Sequence, residues 1–325
     1  MSHQFCTYFD HHYLPRGMVM LESLFEHCPG AYVHVLCLSD ECYDALSSLA
    51  YPFISLIHLA ELEAADPELA ATRATRSLIE YYFTITPCLP WYLLTSRSVA
   101  TITYLDADMI FFDSPEPIFD DAGDASVIIT PHRFPPRLGA LQKWGLYNVS
   151  WLMFRNTLPG MTCLSWYRKA CLEWCYDVLE ETRFADQKYL DAFPVRFEGV
   201  HIMGHPGGGL APWNVEGVTI TDTRAGIFVA DAPLIFYHAQ GIKHLMGQFY
   251  SSGFHVYGAS LANPAVLAIL KHYIAKYDRA SKIASRKLAN FDFNGIRHGN
   301  NFLMWLRICK QLFVEAYART LIRLK

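Results

Sequence analysis

The sequence lacks most of the features that classify a chain at first sight. It has no Cys-x-x-Cys pair, and its nine cysteines, at positions 6, 28, 37, 42, 88, 163, 171, 175 and 309, are odd in number and scattered. Such spacing offers neither a zinc cluster nor a secreted disulfide framework, and points to a reducing, cytoplasmic compartment. The opening MSHQFCTYFDHH lacks a basic stretch followed by an apolar run, so no signal peptide is expected. No window of about eighteen residues is apolar and free of charge, which excludes a spanning helix. Outside the C-terminal tail no basic patch interleaves with aromatics, so nucleic acid is not an expected partner.

What is present is apolar mass. With 325 residues, 52% hydrophobic and 18% charged, the chain can bury a large core as one domain or as a domain with an appendage. The net charge of −4 is unevenly spread. From Lys271 onward twelve basic side chains face three acidic ones, leaving −13 on the remainder. A basic tail on an acidic body suggests a separate role for the tail.

The stretch that organises the reading is TITYLDADMIFFDSP, Thr101 to Pro115. Ile102 to Leu105 reads as a buried strand that stops on Asp106, Ala107 and Asp108. Two carboxylates one residue apart at the end of a buried strand repel each other and are costly to desolvate unless a cation lies between them. Magnesium or manganese held by carboxylates completes its shell with water and substrate diphosphate oxygens. The plain alternative is a turn capped by aspartate, and one chance Asp-x-Asp is ordinary in a chain of this length.

The surrounding pattern is α/β. Phe5 to Phe9 reads as a strand ending at Asp10, Met18 to Phe25 as an amphipathic helix, and Tyr32 to Leu38 as a second strand. Ser39 and Asp40 cap the next helix, and Phe53 to Leu59 is a third strand. This alternation predicts a doubly wound sheet with ligands beyond the carboxyl ends of its strands. Residues 64–94 read as helical, punctuated by Pro87 and Pro90, with Arg76 able either to reach a diphosphate or to pair with Glu80. Ala125 to Thr130 is a strand, and Arg133 to Gly145 a loop long enough to be a flap. Asn148 and Ser150 enter an apolar run, where they either meet sugar hydroxyls or form a turn. Leu158 to Glu181 reads as one long helix, followed by Asp186 and Gln187 at a helix start, as sugar ligands or as a capping pair. The glycines in HPGGGLAPWN, His205 to Asn214, mark a close backbone approach or a mobile loop, with no P-loop Lys-Ser/Thr after them. His238 ends an apolar strand, as a third metal ligand or a structural histidine, and Lys243 follows a glycine turn.

Taken in order, the Asp10 strand, the YLDAD strand end, the Asp186-Gln187 pair and the HAQGIK segment resemble the nucleotide-sugar glycosyltransferases of the GT-A fold, particularly glycosyltransferase family 8. The resemblance spans roughly residues 4 to 250. It implies a Rossmann-like mixed sheet flanked by helices over residues 1–260, with a helical C-terminal extension over 261–325. It implies that the strand residues Thr7, Tyr8, Phe9 and Asp10 hold the base and ribose of a UDP-sugar, and that Asp106, Asp108 and His238 bind manganese or magnesium. Ala107, Arg76 and Lys243 would lie along the diphosphate, Asn148 and Ser150 would line the sugar pocket, and Asp186 and Gln187 would be catalytic. The chain departs from the pattern where Lys243 precedes His244 and Leu245, and where Lys188 follows Gln187. The implied activity is transfer of a hexose-type sugar from a UDP-sugar to a glycan or glycolipid hydroxyl, in bacterial surface polysaccharide assembly. Two other readings stay open: a phosphohydrolase using the Asp-x-Asp pair, and a sugar-nucleotide-binding protein without turnover.

The tail, Asn301 to Lys325, interleaves Phe302, Leu303, Trp305, Leu306, Ile308, Leu312, Phe313, Ala316, Leu321 and Ile322 with Arg307, Lys310, Arg319 and Arg323. This is the composition of a basic amphipathic helix lying on an anionic membrane surface, and similar tails occur on bacterial lipooligosaccharide transferases. The alternative is a helix packed on the domain with its cations solvated.

Overall fold

The structure, a computed structural model, describes residues 3–288 and 301–324, and for 301–306 the backbone alone. β1 (Gln4–Phe9), β2 (Tyr32–Cys37) and β3 (Ile54–His58) pair in parallel, connected by α1 (Leu14–His27) and α2 (Asp40–Leu49). The Ser39 hydroxyl accepts from the Cys42 amide at the start of α2, the cap its position predicts. After α3 (Leu59–Ala65) and α4 (Pro67–Thr72), α5 (Leu78–Ser96) opens on a reciprocal capping box between Ser77 and Glu80. Pro87 and Pro90 lie inside α5 and do not punctuate it. Burial of Tyr81, Ile85, Leu89 and Leu93 along the helix outweighs the lost backbone donors.

β4 (Thr101–Leu105) lies parallel to β1 on the side away from β2, so the order of strand placement reverses there. The short β5 (Met109–Phe111) and α6 (Glu116–Ala122) lead to β6 (Val127–Pro131) and then β7 (Tyr147–Arg155). β7 runs antiparallel to both β4 and β6. α7 (Leu158–Glu173) and α8 (Phe193–Arg196) precede β8 (Val200–Ile202), which completes a mixed sheet of order β3-β2-β1-β4-β7-β6-β8. Asp10 follows β1 and Asp106 follows β4, so strand adjacency at the reversal carries both to one crevice. α7 stops at Glu173, short of the expected Glu181, because Trp174 turns extended and its ring face receives the Arg183 guanidinium at 4.6 Å.

Each face of the sheet is covered. Phe5 and Phe9 pack with Met18, Leu21 and Trp151 on one side, while Cys6 packs with Ile85, Leu89 and Leu164 on the other. Beyond a meander of β9 (Ile220–Thr223), β10 (Gly226–Val229) and β11 (Ala232–Pro233), β12 (Phe236–His238) pairs antiparallel with β5. β13 (Lys243–Met246), β14 (Phe249–Ser251) and β15 (Leu321–Arg323) form a small sheet of their own. α9 (Pro264–Lys287) buries Val266, Ile269, Leu270 and Tyr273 in the same core as α1, and after α10 (Asn301–Tyr317) the strand β15 pairs with β14. Packing runs across the division expected at residue 260, since α9 shares its core with α1. Asp292, Arg297 and Lys325, and the side chains of Phe302, Leu303, Trp305 and Leu306, lie outside the described residues. Among the described residues no helix is long and apolar enough to cross a membrane.

The three glycines at 207–209 serve a close backbone approach. Gly207 O accepts from the amides of Ile235 and Phe236, and a Cβ on Gly207 would stand 1.9 Å from Pro233 O. Gly209 adopts φ +83, open to glycine at no steric cost. Because the obstructing atom is backbone, Gly207→Ala is expected to destabilise the fold by about 3 kcal/mol. Its urea midpoint, compared with that of Gly139→Ala, where a Cβ meets nothing within 4 Å and the backbone φ is ordinary, checks this.

Candidate active site

The site grows out of one strand pairing. β4 delivers Asp106 at its end, the chain turns through Ala107 and Asp108, and β5 then pairs antiparallel with β12 in a register that sets Met109 opposite His238. The Ala239 amide donates to Asp108 O at 2.8 Å, and the His238 amide to Leu210 O at 2.8 Å, so the carboxyl end of β12 is pinned from two sides. His238 Nε2 therefore lies 3.0 Å from Asp108 Oδ1 and 3.7 Å from Asp106 Oδ2. One ligand atom from each of the three lies within 4.8 Å of the others.

The electrostatics are those of a crowded, buried anionic site. Burial pushes Asp106 up to about 6, with the Asp108 charge adding to the push and His238 and the Tyr104 hydroxyl opposing it. Tyr104 OH donates to Asp106 Oδ1 at 2.9 Å. Burial also acts to raise Asp108, but the adjacent His238 and the Arg16 guanidinium hold it below the usual carboxylate range. Conversely, the two carboxylates lift His238 above its ordinary value despite burial. The pair thus attracts positive charge strongly, and two carboxylates with one imidazole form a donor set suited to a divalent cation. Such a cation would take the imidazole in its neutral form.

These residues stand in a cavity of about 960 Å³, within the range of small-molecule sites. Tyr8, Phe9, Asp10, Ala107, Asn148, Asp186 and Gln187 line it, as the sequence suggested. Tyr8 OH hydrogen-bonds Thr86 Oγ1 at 2.8 Å. Asp10 Oδ1 accepts from the amides of His12 and Tyr13, and its Oδ2 from Tyr82 OH at 3.3 Å. Gln187 Nε2 donates to Trp144 O at 3.1 Å. Asp186 precedes a 3-10 turn over Gln187–Ala192 without capping it by its side chain. Its carboxyl is buried instead, with Oδ2 lacking any hydrogen-bond partner among the described residues. Burial pushes it up to about 7; the Thr86 hydroxyl opposes and the Asp106 charge adds to the push.

Four of the expected residues stand elsewhere. Thr7 is fully enclosed within β1 and does not line the cavity, which is reached only by the last residues of the strand, Tyr8 and Phe9, and by Asp10. Ser150 is one layer beneath the wall, its amide and hydroxyl donating to Asn148 Oδ1, so it orients the residue that does line the cavity. Arg76 lays its guanidinium over the Tyr176 ring at 4.0 Å and donates to Leu172 O, away from the cavity. Glu80, its expected partner, is engaged in capping α5. Lys243 is exposed at the start of β13, because the chain reverses at Gly241 with φ +84 and presents Gln240 to the cavity in its place.

The structure also brings in residues the sequence reading passed over: Tyr13, Tyr82, His132, Trp144, Trp213 and Tyr257. Trp213 lies within the HPGGGLAPWN stretch already singled out, and its ring meets His238 edge-on with centroids 5.4 Å apart. His132 follows β6, stacked on Phe134 at 4.5 Å, and burial pushes its imidazole down to about 4. Nothing in the local sequence marks Tyr257, which arrives through tertiary packing.

A carboxyl whose folded value is raised costs stability as it ionises, so the cost is absent in acid and complete above about pH 7. Asp186→Asn removes it and should gain on the wild type steadily from pH 5 to pH 8. The gain should approach the order of 4 kcal/mol at the upper end. Urea unfolding of both proteins across that range, without metal or nucleotide, measures it; parallel curves would refute the buried, raised carboxyl.

No profile of a known protein family matches the chain. Two uncharacterized proteins of Bacillus subtilis (strain 168) align with most of it. YfnD is 29% identical over 241 residues, covering 73% of this chain and 77% of its own length. YfnF is 29% identical over 252 residues, covering 75% and 82%. Among solved structures, the galactosyltransferase LgtC in complex with donor and acceptor sugar analogs superposes with a TM-score of 0.56 at 16% identity, over 85% of this chain and 95% of that one. The apo form of the glycosyltransferase GlyE of Streptococcus pneumoniae TIGR4 gives 0.51 at 11% identity, over 88% and 63%. With its mixed sheet, its strand-end carboxylate pair and these likenesses, the chain has the GT-A fold of nucleotide-sugar glycosyltransferases.

Proposed function

We propose that the protein is a metal-dependent glycosyltransferase that moves a hexose-type sugar from a UDP-sugar to a hydroxyl of a glycan or glycolipid. The observation that carries this reading is the convergence of Asp106, Asp108 and His238 on the floor of a cavity of about 960 Å³. Asp106, Asp108 and neutral His238 would hold manganese or magnesium, which when bound supplies Lewis acidity to the departing diphosphate. Tyr8, Phe9 and Asp10 form the wall at the β1 end, where the base and ribose are placed. Asn148, fixed by Ser150, offers its amide to sugar hydroxyls, and the unpartnered Asp186 oxygen accepts another. Gln187, held by Trp144 O, presents its carboxamide beside Asp186. Trp144 and Phe184 pack edge to face at 4.6 Å on the same wall and offer an apolar surface to a sugar ring.

Turnover should require an added divalent cation. Asp108→Ala is expected to lower release of UDP from UDP-sugars by at least about a hundredfold, a loss of about 2.7 kcal/mol. A panel of UDP-sugars with manganese, followed by assay of free UDP, tests it; full activity in EDTA or in the variant would remove the metal from the reading.

We also propose that α10 rests on an anionic membrane surface. Arg307, Lys310, Phe313 and Tyr317 recur at helical spacing and are all exposed, Phe313 by 72% and Tyr317 by 85%. Aromatic and basic residues on one face suit the headgroup boundary. Flotation with vesicles containing phosphatidylglycerol should carry the wild type, and Phe313→Asp with Tyr317→Asp should reduce recovery at least about fivefold; equal recovery would leave α10 as packing alone.

A further inference from the structure

A diphosphate brings two or three negative charges, yet among the described residues no Lys or Arg lines the cavity. Lys243 faces solvent and Arg76 is bound elsewhere. What stands at the metal side of the cavity is a neutral pair of hydrogen-bonding groups, Gln240 and Tyr257, with Tyr257 OH donating to Gln240 Oε1 at 2.6 Å. Their placement is built into the backbone. Gln240 precedes Gly241 in the turn after His238, and Tyr257 follows the turn at Gly253. The two turns cross at these glycines: a Cβ on Gly241 would stand 3.2 Å from Gly253 Cα, and one on Gly253 would stand 2.9 Å from Gln240 O. Both residues adopt positive φ, +84 and +77, so neither position accepts a side chain without strain. The Tyr257 ring also leans on Trp213 at 5.8 Å, and Trp213 on His238 at 5.4 Å, which ties the phenol to the metal ligand by direct packing.

Resting on the nucleotide-sugar reading above, we propose that Gln240 and Tyr257 bind the diphosphate of the donor, as uncharged hydrogen-bond donors in place of a basic side chain. Tyr257 OH exchanges its present acceptor, Gln240 Oε1, for a phosphate oxygen, and the Gln240 carboxamide then offers its own N–H groups. The phenol stays protonated for this task, since burial and the Asp108 charge push it up to about 12. Charge neutralisation falls wholly to the cation, so binding of the nucleotide depends more steeply on metal than it would with a lysine in the site.

Calorimetry of the full chain with UDP and with uridine, each with and without manganese, tests this. Tyr257→Phe should weaken UDP binding in manganese about tenfold, or 1.4 kcal/mol, and leave uridine binding unchanged. Gln240→Ala should do the same, and the double variant should lose clearly more than either single variant, since each residue gives the phosphate its own hydrogen bond. Wild-type affinity for UDP in Tyr257→Phe would overturn the proposal, as would a loss in Lys243→Ala equal to or larger than that in Tyr257→Phe. A parallel loss for uridine would show a distorted cavity and likewise overturn it. Failure of the wild type to bind either UDP or uridine would defeat the nucleotide-sugar reading itself, a result distinct from these.

Discussion

Everything at the site depends on the pairing of β5 with β12. Two aspartates at the end of a buried strand repel each other, and the repulsion is contained because a strand from more than a hundred residues later lays an imidazole across both. Trp151 and Phe236 stack beneath at 5.5 Å, and Phe111 packs against both rings, so the pairing sits on an aromatic platform. The Phe111 amide is fixed by Ser23 Oγ of α1, at 3.1 Å. The placement of the two carboxylates and the imidazole is therefore a property of the whole core on that side of the sheet.

The same arrangement explains how the cavity divides its labour. Its floor is anionic and polar, with Asp106, Asp108, His238 and Asp186 all largely buried. Its walls are aromatic, from Tyr8 and Tyr82 on one side to Trp144 and Phe184 on another. Sugars offer both hydroxyls and apolar ring faces, and a wall of this kind meets each.

How much of this was legible beforehand follows from what each residue's neighbours in sequence reveal. The strands and the Asp106-Ala107-Asp108 terminus were readable because burial and strand ends leave local patterns, and His238 because it too ends a strand. Tyr8, Asp10, Asn148, Asp186 and Gln187 reached the cavity for the same reason. Thr7 and Ser150 stop short of the cavity because each lies two residues deeper along its strand than Phe9 and Asn148, which share its side and do reach the cavity. Arg76 and Lys243 failed because a cation's direction depends on its tertiary partners, here the Tyr176 ring and the turn at Gly241. Tyr257 and His132 carry no local mark, since packing from distant segments alone brings them in. α7 ended early for a related reason: helical periodicity continues past Glu173, but Trp174 gains more as a platform for Arg183.

The buried Glu315 of α10 gathers partners from the far side of the tail. It accepts from Ser251 Oγ and Thr320 Oγ1, it accepts from Gln311 Nε2 at 3.1 Å, and His255 Nδ1 lies 2.7 Å away. Ser251 Oγ in turn accepts from the Gly253 amide, at the start of the segment that ends in Tyr257. One carboxylate therefore braces both the terminal helix and the wall of the catalytic chamber. A chain cut before Asn301 would lose this brace, and a defect in such a truncation would report a slackened chamber.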